Sequence, residues 1–206
     1  MTRIFFLISL LPSVCFALEA GHLDLMSGKI TIDRNGRQFN ASRGLKLDWQ
    51  DKLTGREGSS ARILLAEQEI IVNGPFSILL SQPKPSEGLS VLELLQGKLR
   101  MLVKSAKGST PTTTRIVLRT PNTVMGVRGT DFFASFEPLL GESEVICFEN
   151  EIDFVTRDGS SSQRVRAGQW GGFGGRFGQA ISLPMSLPPK VLGHFKASLP
   201  LKTQSH

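Results

Sequence analysis

The sequence predicts an all-β protein: a single domain built as a roll-like or solenoid-like array of short strands and hairpins. Three observations carry that expectation. Short alternating or aliphatic runs recur along the chain, Gly, Asn and Ser turns separate them, and amphipathic helical periodicity is scarce.

The N-terminus comes first. Met1-Thr2-Arg3 supplies one positive charge, an apolar run from Ile4 to Ala17 follows, and Cys15-Phe16-Ala17 closes it. A charged start, a short apolar stretch and small residues at its end mark residues 1–17 as a secretory signal peptide, which puts the mature chain in the periplasm or outside the cell. The run falls short of the ~20 apolar residues a spanning helix needs, and Pro12 interrupts it. Val14 before Cys15 is too bulky for a lipid-anchor signal, and no later run is long and apolar enough to hold a stable membrane span.

The strand signals then follow one another. Lys29-Ile30-Thr31-Ile32-Asp33 alternates and meets Asn35-Gly36, a pair suited to a tight hairpin turn. Gly44 to Trp49 alternates likewise, Arg62 to Leu65 and Glu69 to Val72 are aliphatic, and Asn73-Gly74-Pro75 ends the latter. Leu99 to Val103, Arg115 to Arg119, Phe132 to Phe136 and Val145 to Phe148 complete the series. Ser90-Val91-Leu92-Glu93 has the spacing of a helix capping box, but strands flank it on both sides and it is assigned to strand. A small or turn residue, a charge, an alternating strand and a Gly turn recur from Gly28 to Gly36, Gly97 to Gly108 and Asn150 to Gly159. That is either a stacking repeat or the common likeness of hairpins.

After Gly168 the composition shifts. Trp170 to Gly178 is glycine-rich with aromatic inserts and reads as a flexible segment rather than an ordinary strand. Its Trp170, Phe173 and Phe177 are either partner contacts or aromatics tucked onto the core. Residues 179–206 hold Pro184, Pro188, Pro189 and Pro200 and are expected as an extended, loosely docked tail.

Chemical signatures are few. The net charge of +6 is spread without a dense basic block, so it speaks for solubility and a weak attraction to anionic envelope polymers, not for nucleic acid. His22, His194 and His206 lie near the chain ends, where a catalytic base lacks a fixed orientation. No metal, nucleophile or cofactor motif is present, so no catalytic, metal-binding or cofactor-binding residue is assigned. Carboxylates are scattered, and a pair that meets only in space is the one route left to a hydrolase. Cys15 falls in the leader, and Cys147 sits in the apolar run Val145-Ile146-Cys147-Phe148 as a buried thiol without a disulfide partner.

One segment is distinctive: Thr120-Pro121, then Gly126-Val127-Arg128-Gly129-Thr130-Asp131-Phe132. Glycines on either side of Val127-Arg128 permit unusual backbone angles or close packing next to one positive side chain. Arg128 is either an anion or partner contact or an internal clasp paired with Asp131 across the turn, and the clasp is favoured. These residues resemble the signature of the FecR-domain family, a periplasmic module named for the ferric-citrate regulator. Leu95-Gln96-Gly97-Lys98-Leu99 is similar to that family's Leu-x-x-Gly strand, and Val165-Arg166-Ala167-Gly168-Gln169-Trp170 to its closing segment; together the likeness spans residues 28–178. The resemblance implies an all-β roll-like or solenoid-like fold, a structural role for Thr120, Pro121, Gly126, Val127, Arg128, Gly129, Thr130 and Phe132, and activity by binding. The founding regulators also have a cytoplasmic sigma-factor-holding segment and a membrane helix, which this sequence is not expected to contain. The function expected is therefore an exported module without catalysis that docks an envelope protein or a cell-wall polymer. The alternatives are an accessory role in a transporter–sigma-factor signalling system and an unrecognised carbohydrate-active or hydrolytic enzyme.

Overall fold

The computed structural model describes residues 19–65, 68–84, 89–104, 116–127 and 129–200; the leader assigned to residues 1–17 lies outside them. The chain is mostly strand. In order come β1 (Glu19–Ser27), β2 (Ile30–Arg34), β3 (Arg37–Asn40), β4 (Lys46–Asp48), β5 (Lys52–Gly55), β6 (Ser60–Leu65), β7 (Gln68–Lys84) and β8 (Leu89–Val103). Then follow β9 (Ile116–Arg119), β10 (Thr123–Val127), β11 (Asp131–Glu137), β12 (Glu142–Cys147), β13 (Glu151–Thr156), β14 (Ser162–Arg166), β15 (Gln169–Phe173) and β16 (Met185–Ser186). Among the described residues one α-helix, α1 (Pro189–Ser198), comes after them.

All sixteen strands belong to one hydrogen-bonded sheet, and β7 and β8 are its spine. β7 pairs with β6 over Gln68–Asn73 and with β5 over Phe76–Leu79. β8 pairs in parallel with β9 over Ser90–Glu93 and antiparallel with β11 over Gly97–Leu102. The β7–β8 register shifts between Asn73 and Ser77, where both strands bend. The sheet thus rolls over on itself into two layers. The first runs β4-β1-β6-β7-β8-β11-β12-β15-β16 and the second β3-β2-β5-β7-β8-β9-β10-β13-β14.

Alternation fills the space between the layers, because successive residues of a strand face opposite sides. Leu23, Ile63, Ile70, Leu99, Met101 and Phe132 of the first layer join Ile32, Leu53, Ile78, Leu118, Ile152 and Phe154 of the second in one buried cluster. Direct contact between layers shows at Gly171 of β15: a Cβ there would sit 3.1 Å from Val165 and 3.4 Å from Phe154. The first layer also has an apolar outer face, where Ile71, Phe133, Ile146 and Phe148 pack with Leu192, Phe195 and Leu199 at α1.

Several expectations change in detail. Asn73-Gly74-Pro75 does not end a strand; it is the bend within β7, where Pro75 falls in the ladder gap and its missing N–H costs nothing. The opposite bend lies at Gly97, whose φ of +93° suits glycine and whose Cβ would strike the Pro75 carbonyl. Ser90–Leu95 is strand, as expected, and is continuous with Leu99–Val103 in β8. The three repeat segments lie in β2, β8 and β13, which do not pair with each other, so the repeat reflects shared turn chemistry: Gly28, Gly97 and Asn150 all have positive φ. The glycine-rich stretch begins as the regular strand β15 rather than a flexible segment. The tail is not loosely docked either: Ile181 is in the main core, and Leu199 after α1 has no exposed surface.

Candidate functional site

The family-like signature occupies the β9–β10 hairpin and the β10–β11 connection. Thr120 is buried, and its hydroxyl is the hub of a polar knot. It lies 2.8 Å from both the Thr123 and the Ser143 hydroxyls and 2.9 Å from Asn122 Oδ1, and it accepts the Thr123 N–H at 3.0 Å. Asn122 Nδ2 donates to the Gly141 carbonyl at 2.7 Å, and Arg157 Nη1 to the Thr120 carbonyl at 3.0 Å. Thr-Pro thus makes a tight turn whose side chains tie it to the β11–β12 turn. Every buried hydroxyl in the knot has a partner, and that satisfaction keeps such burial from being costly.

Beyond the hairpin, Val127 and Phe132 enter the core and Thr130 is wholly buried. Gly126 faces outward beside Asp153 with ordinary room for a Cβ. Gly129 has φ +58°, and its carbonyl accepts a bond from Asn150 Nδ2, which fixes the turn into β11. Arg128, named as contact or clasp, lies outside the described residues. Asp131, its expected partner, is bound by Arg100 of the neighbouring β8, whose Nε and Nη2 donate to its two carboxylate oxygens at 2.8 and 2.7 Å. This fork-on-fork pair has side chains only 8% and 4% exposed. The same Arg100 turns Nη1 to the Lys196 and Leu199 carbonyls at the end of α1, at 3.3 and 3.2 Å.

The aromatic stretch is brought together at one end of the first layer. Trp170 and Phe177 meet edge to face at 5.1 Å over Gly172, whose Cβ would lie 2.7 Å from Trp170 and 2.9 Å from Phe177. Arg176 stacks on Phe177 at 4.8 Å and pairs with Glu142 and Glu144. Phe173 points inward against the core. Gly174 and Gly175 lie against the β11–β12 turn, and that turn exposes Leu139 (93%) and Leu140 (58%). Across from Trp170, Met185 is exposed, and so is nearby Leu183. Apolar side chains therefore surround the Trp170–Phe177–Arg176 stack on the surface.

Carboxylates do meet in space, and among the described residues an arginine bridges four such pairs. Arg34 joins Asp48 and Asp51, Arg62 joins Asp24 and Glu69, Arg164 joins Glu151 and Asp153, and Arg176 joins Glu142 and Glu144. The bond to Asp51 raises the Arg34 guanidinium pKa, and the bond to Glu69 raises that of Arg62. Burial pushes the Cys147 thiol up to about 12, so it is a packed, weakly acidic group. Among the described residues no three His, Cys, Asp or Glu side chains gather as metal ligands. No helix among them is long and apolar enough to cross a membrane.

Reading the sequence missed Arg100 and α1. Pro189 at the first helical position and the spacing of Leu192, Phe195 and Leu199 were the signals available for the helix. The Arg100–Asp131 pair, across neighbouring strands, left no local pattern.

Residues 51–153 match the FecR protein family. No curated protein matches the chain. Two crystal structures of a "putative anti-sigma factor" from Parabacteroides distasonis ATCC 8503 share the fold, each with TM-score 0.57 at 13% identity. Each likeness covers 70% of this chain and 63% of that one, so the chain spans under two thirds of those proteins.

Proposed function

The chain belongs to the FecR protein family, and from that premise we propose that it is an exported, non-catalytic module that docks an envelope protein within a cell-surface signalling system. The observation that carries this reading is the surface at the β15 end of the first layer. Leu139, Leu140, Leu183 and Met185 are exposed there around the Trp170–Phe177–Arg176 stack. An aromatic–arginine centre with an apolar border is the composition of a protein-binding hot spot, in which a few residues supply most of the affinity. Export rests on the charged, short apolar leader of residues 1–17. The non-catalytic reading draws support from the carboxylate pairs that an arginine bridges. The signalling context draws on the family and on the name of the Parabacteroides protein, which shares the fold.

The test is crosslinked capture of the tagged protein from intact cells, comparing wild type with Leu139→Asp/Leu140→Asp. The expected result is one dominant envelope protein that the double variant fails to recover. Capture of peptidoglycan alone, or of the same bystanders by both proteins, would refute protein docking at this surface. N-terminal sequencing of the exported protein is expected to begin at Leu18.

A further inference from the structure

The outer face of the first layer is apolar, and α1 covers it. Remove the helix in thought and the face presents Ile71, Phe133, Ile146 and Phe148 around Arg100. The sheet itself holds Arg100 in place: Asp131 takes Nε and Nη2, and the Phe148 ring lies 5.4 Å from the guanidinium carbon. Its remaining nitrogen, Nη1, aims at carbonyls that a helix leaves unpaired at its C-terminus. Asn73 Nδ2 adds a bond of 2.8 Å to the Ser198 carbonyl. The polar contacts thus read the backbone of a helix end, and the apolar ones read Leu192, Phe195 and Leu199 at i, i+3 and i+7.

The helix seated there draws its stability from the face and little from itself. Its ten residues include Gly193, its N-terminus has no side-chain cap, and none of its own residues is fully buried. A helix shorter than ~12 residues has little stability of its own. A pre-organised receptor under a weak occupant is how an intramolecular segment blocks a site until a better ligand arrives.

We propose that this face is a docking groove for an amphipathic helix of a partner protein, one with apolar residues at i, i+3 and i+7 whose C-terminal carbonyls reach Arg100, and that α1 covers the groove in its absence. This does not rest on the docking surface at Leu139 and Leu140, although Trp170 of that surface packs against the edge of the same apolar cluster.

The experiment uses the full chain and a labelled peptide of residues 186–200 as the probe, read by fluorescence anisotropy. Gly193→Pro breaks α1 without touching the face, since a Cβ at Gly193 meets nothing within 4 Å and proline removes an interior helix bond. The expected result is peptide binding at least tenfold tighter to Gly193→Pro than to wild type. That gain should be lost when Arg100→Ala is added, or when the peptide's Leu192 and Phe195 are replaced by Ser. Equal binding to both chains, or binding that Arg100→Ala leaves unchanged, would overturn the proposal. Leu199→Asp offers a second way to release the helix. If both variants lose cooperative unfolding, α1 is an obligatory part of the fold and the groove does not exist as a site. Wild-type dimers that the peptide dissociates would assign the groove to helix exchange between copies instead.

Discussion

Two arginine–carboxylate pairs, one on the outer face of each layer, are chemically alike and physically opposite. Arg100 and Asp131 pair across β8 and β11, forked and roofed by α1, with side chains 8% and 4% exposed. Arg164 and Asp153 pair across β14 and β13 at 3.2 Å, with more than half of each side chain in water. In water such a pair gains about 0–1 kcal/mol, because solvent and salt screen the charges. Under a roof the attraction is less screened, but both ions have lost their hydration, so the pair matters most when it is broken. The difference teaches where the first layer's outer face is fragile and the second's is not.

The largest effect is expected at the roofed pair. Asp131→Ala leaves Arg100 charged and unpaired against apolar neighbours, and should lower unfolding stability by about 3–5 kcal/mol in urea denaturation. A loss no bigger than that of Arg164→Ala would break the contrast between the faces. Next comes a neutral buried network: Thr120→Val strips the knot of its hub, stranding the Thr123 hydroxyl while Ser143 keeps Asn122, and should cost about 1–3 kcal/mol by the same measurement. A neutral result would mean that water replaces the hub.

Titration sharpens the same comparison. The buried Cys147 thiol, raised to about 12, stays protonated where the unfolded thiol ionises. The unfolded state therefore binds fewer protons between pH 9 and 12, and stability should fall as pH rises through that window. Denaturation midpoints of wild type and Cys147→Ser, compared across this range, check it: the slope assigned to the thiol should be missing in the variant. Asp158 is fully exposed, and bonds from the Ser160 N–H and nearby hydroxyls lower it to about 2. Its contribution is present above the ordinary carboxylate pKa and is lost as pH falls through about 2, which an NMR titration of the turn would follow. The smallest effect is Arg164→Ala, expected within about 0.5 kcal/mol of wild type. A larger loss would show that open strand pairs here do more than exposure allows.

Much of the fold was legible because its signals are local. Ile30 to Gly36 reads as a strand and a hairpin turn from alternation and Asn-Gly alone, and Asn35 and Gly36 have the positive φ such a turn requires. Thr120-Pro121 and Gly129 likewise announce the turns they make. What stayed hidden depends on residues that meet from afar. Glycines at 171 and 172 look like flexibility in sequence, but they make room for Phe154 and Val165 on one side of β15 and for Trp170 and Phe177 on the other. Prolines at 188 and 189 look like an extended tail, yet one of them starts a helix. Spacing pointed from Asp131 to Arg128, which lies outside the described residues, but it gave no sign of Arg100, which the pairing of β11 with β8 delivers. Asn73-Gly74-Pro75 reads as a strand end because a bend uses the same residues as a stop.

That bend has a thermodynamic consequence. β7 and β8 lend one half to each layer, so neither layer can come apart without tearing the strands that template the other. Melting should be a single heat-absorption peak whose calorimetric and van't Hoff enthalpies agree. The amides of Val72 and Leu99, paired at the heart of the spine, should exchange with deuterium only when the entire molecule opens.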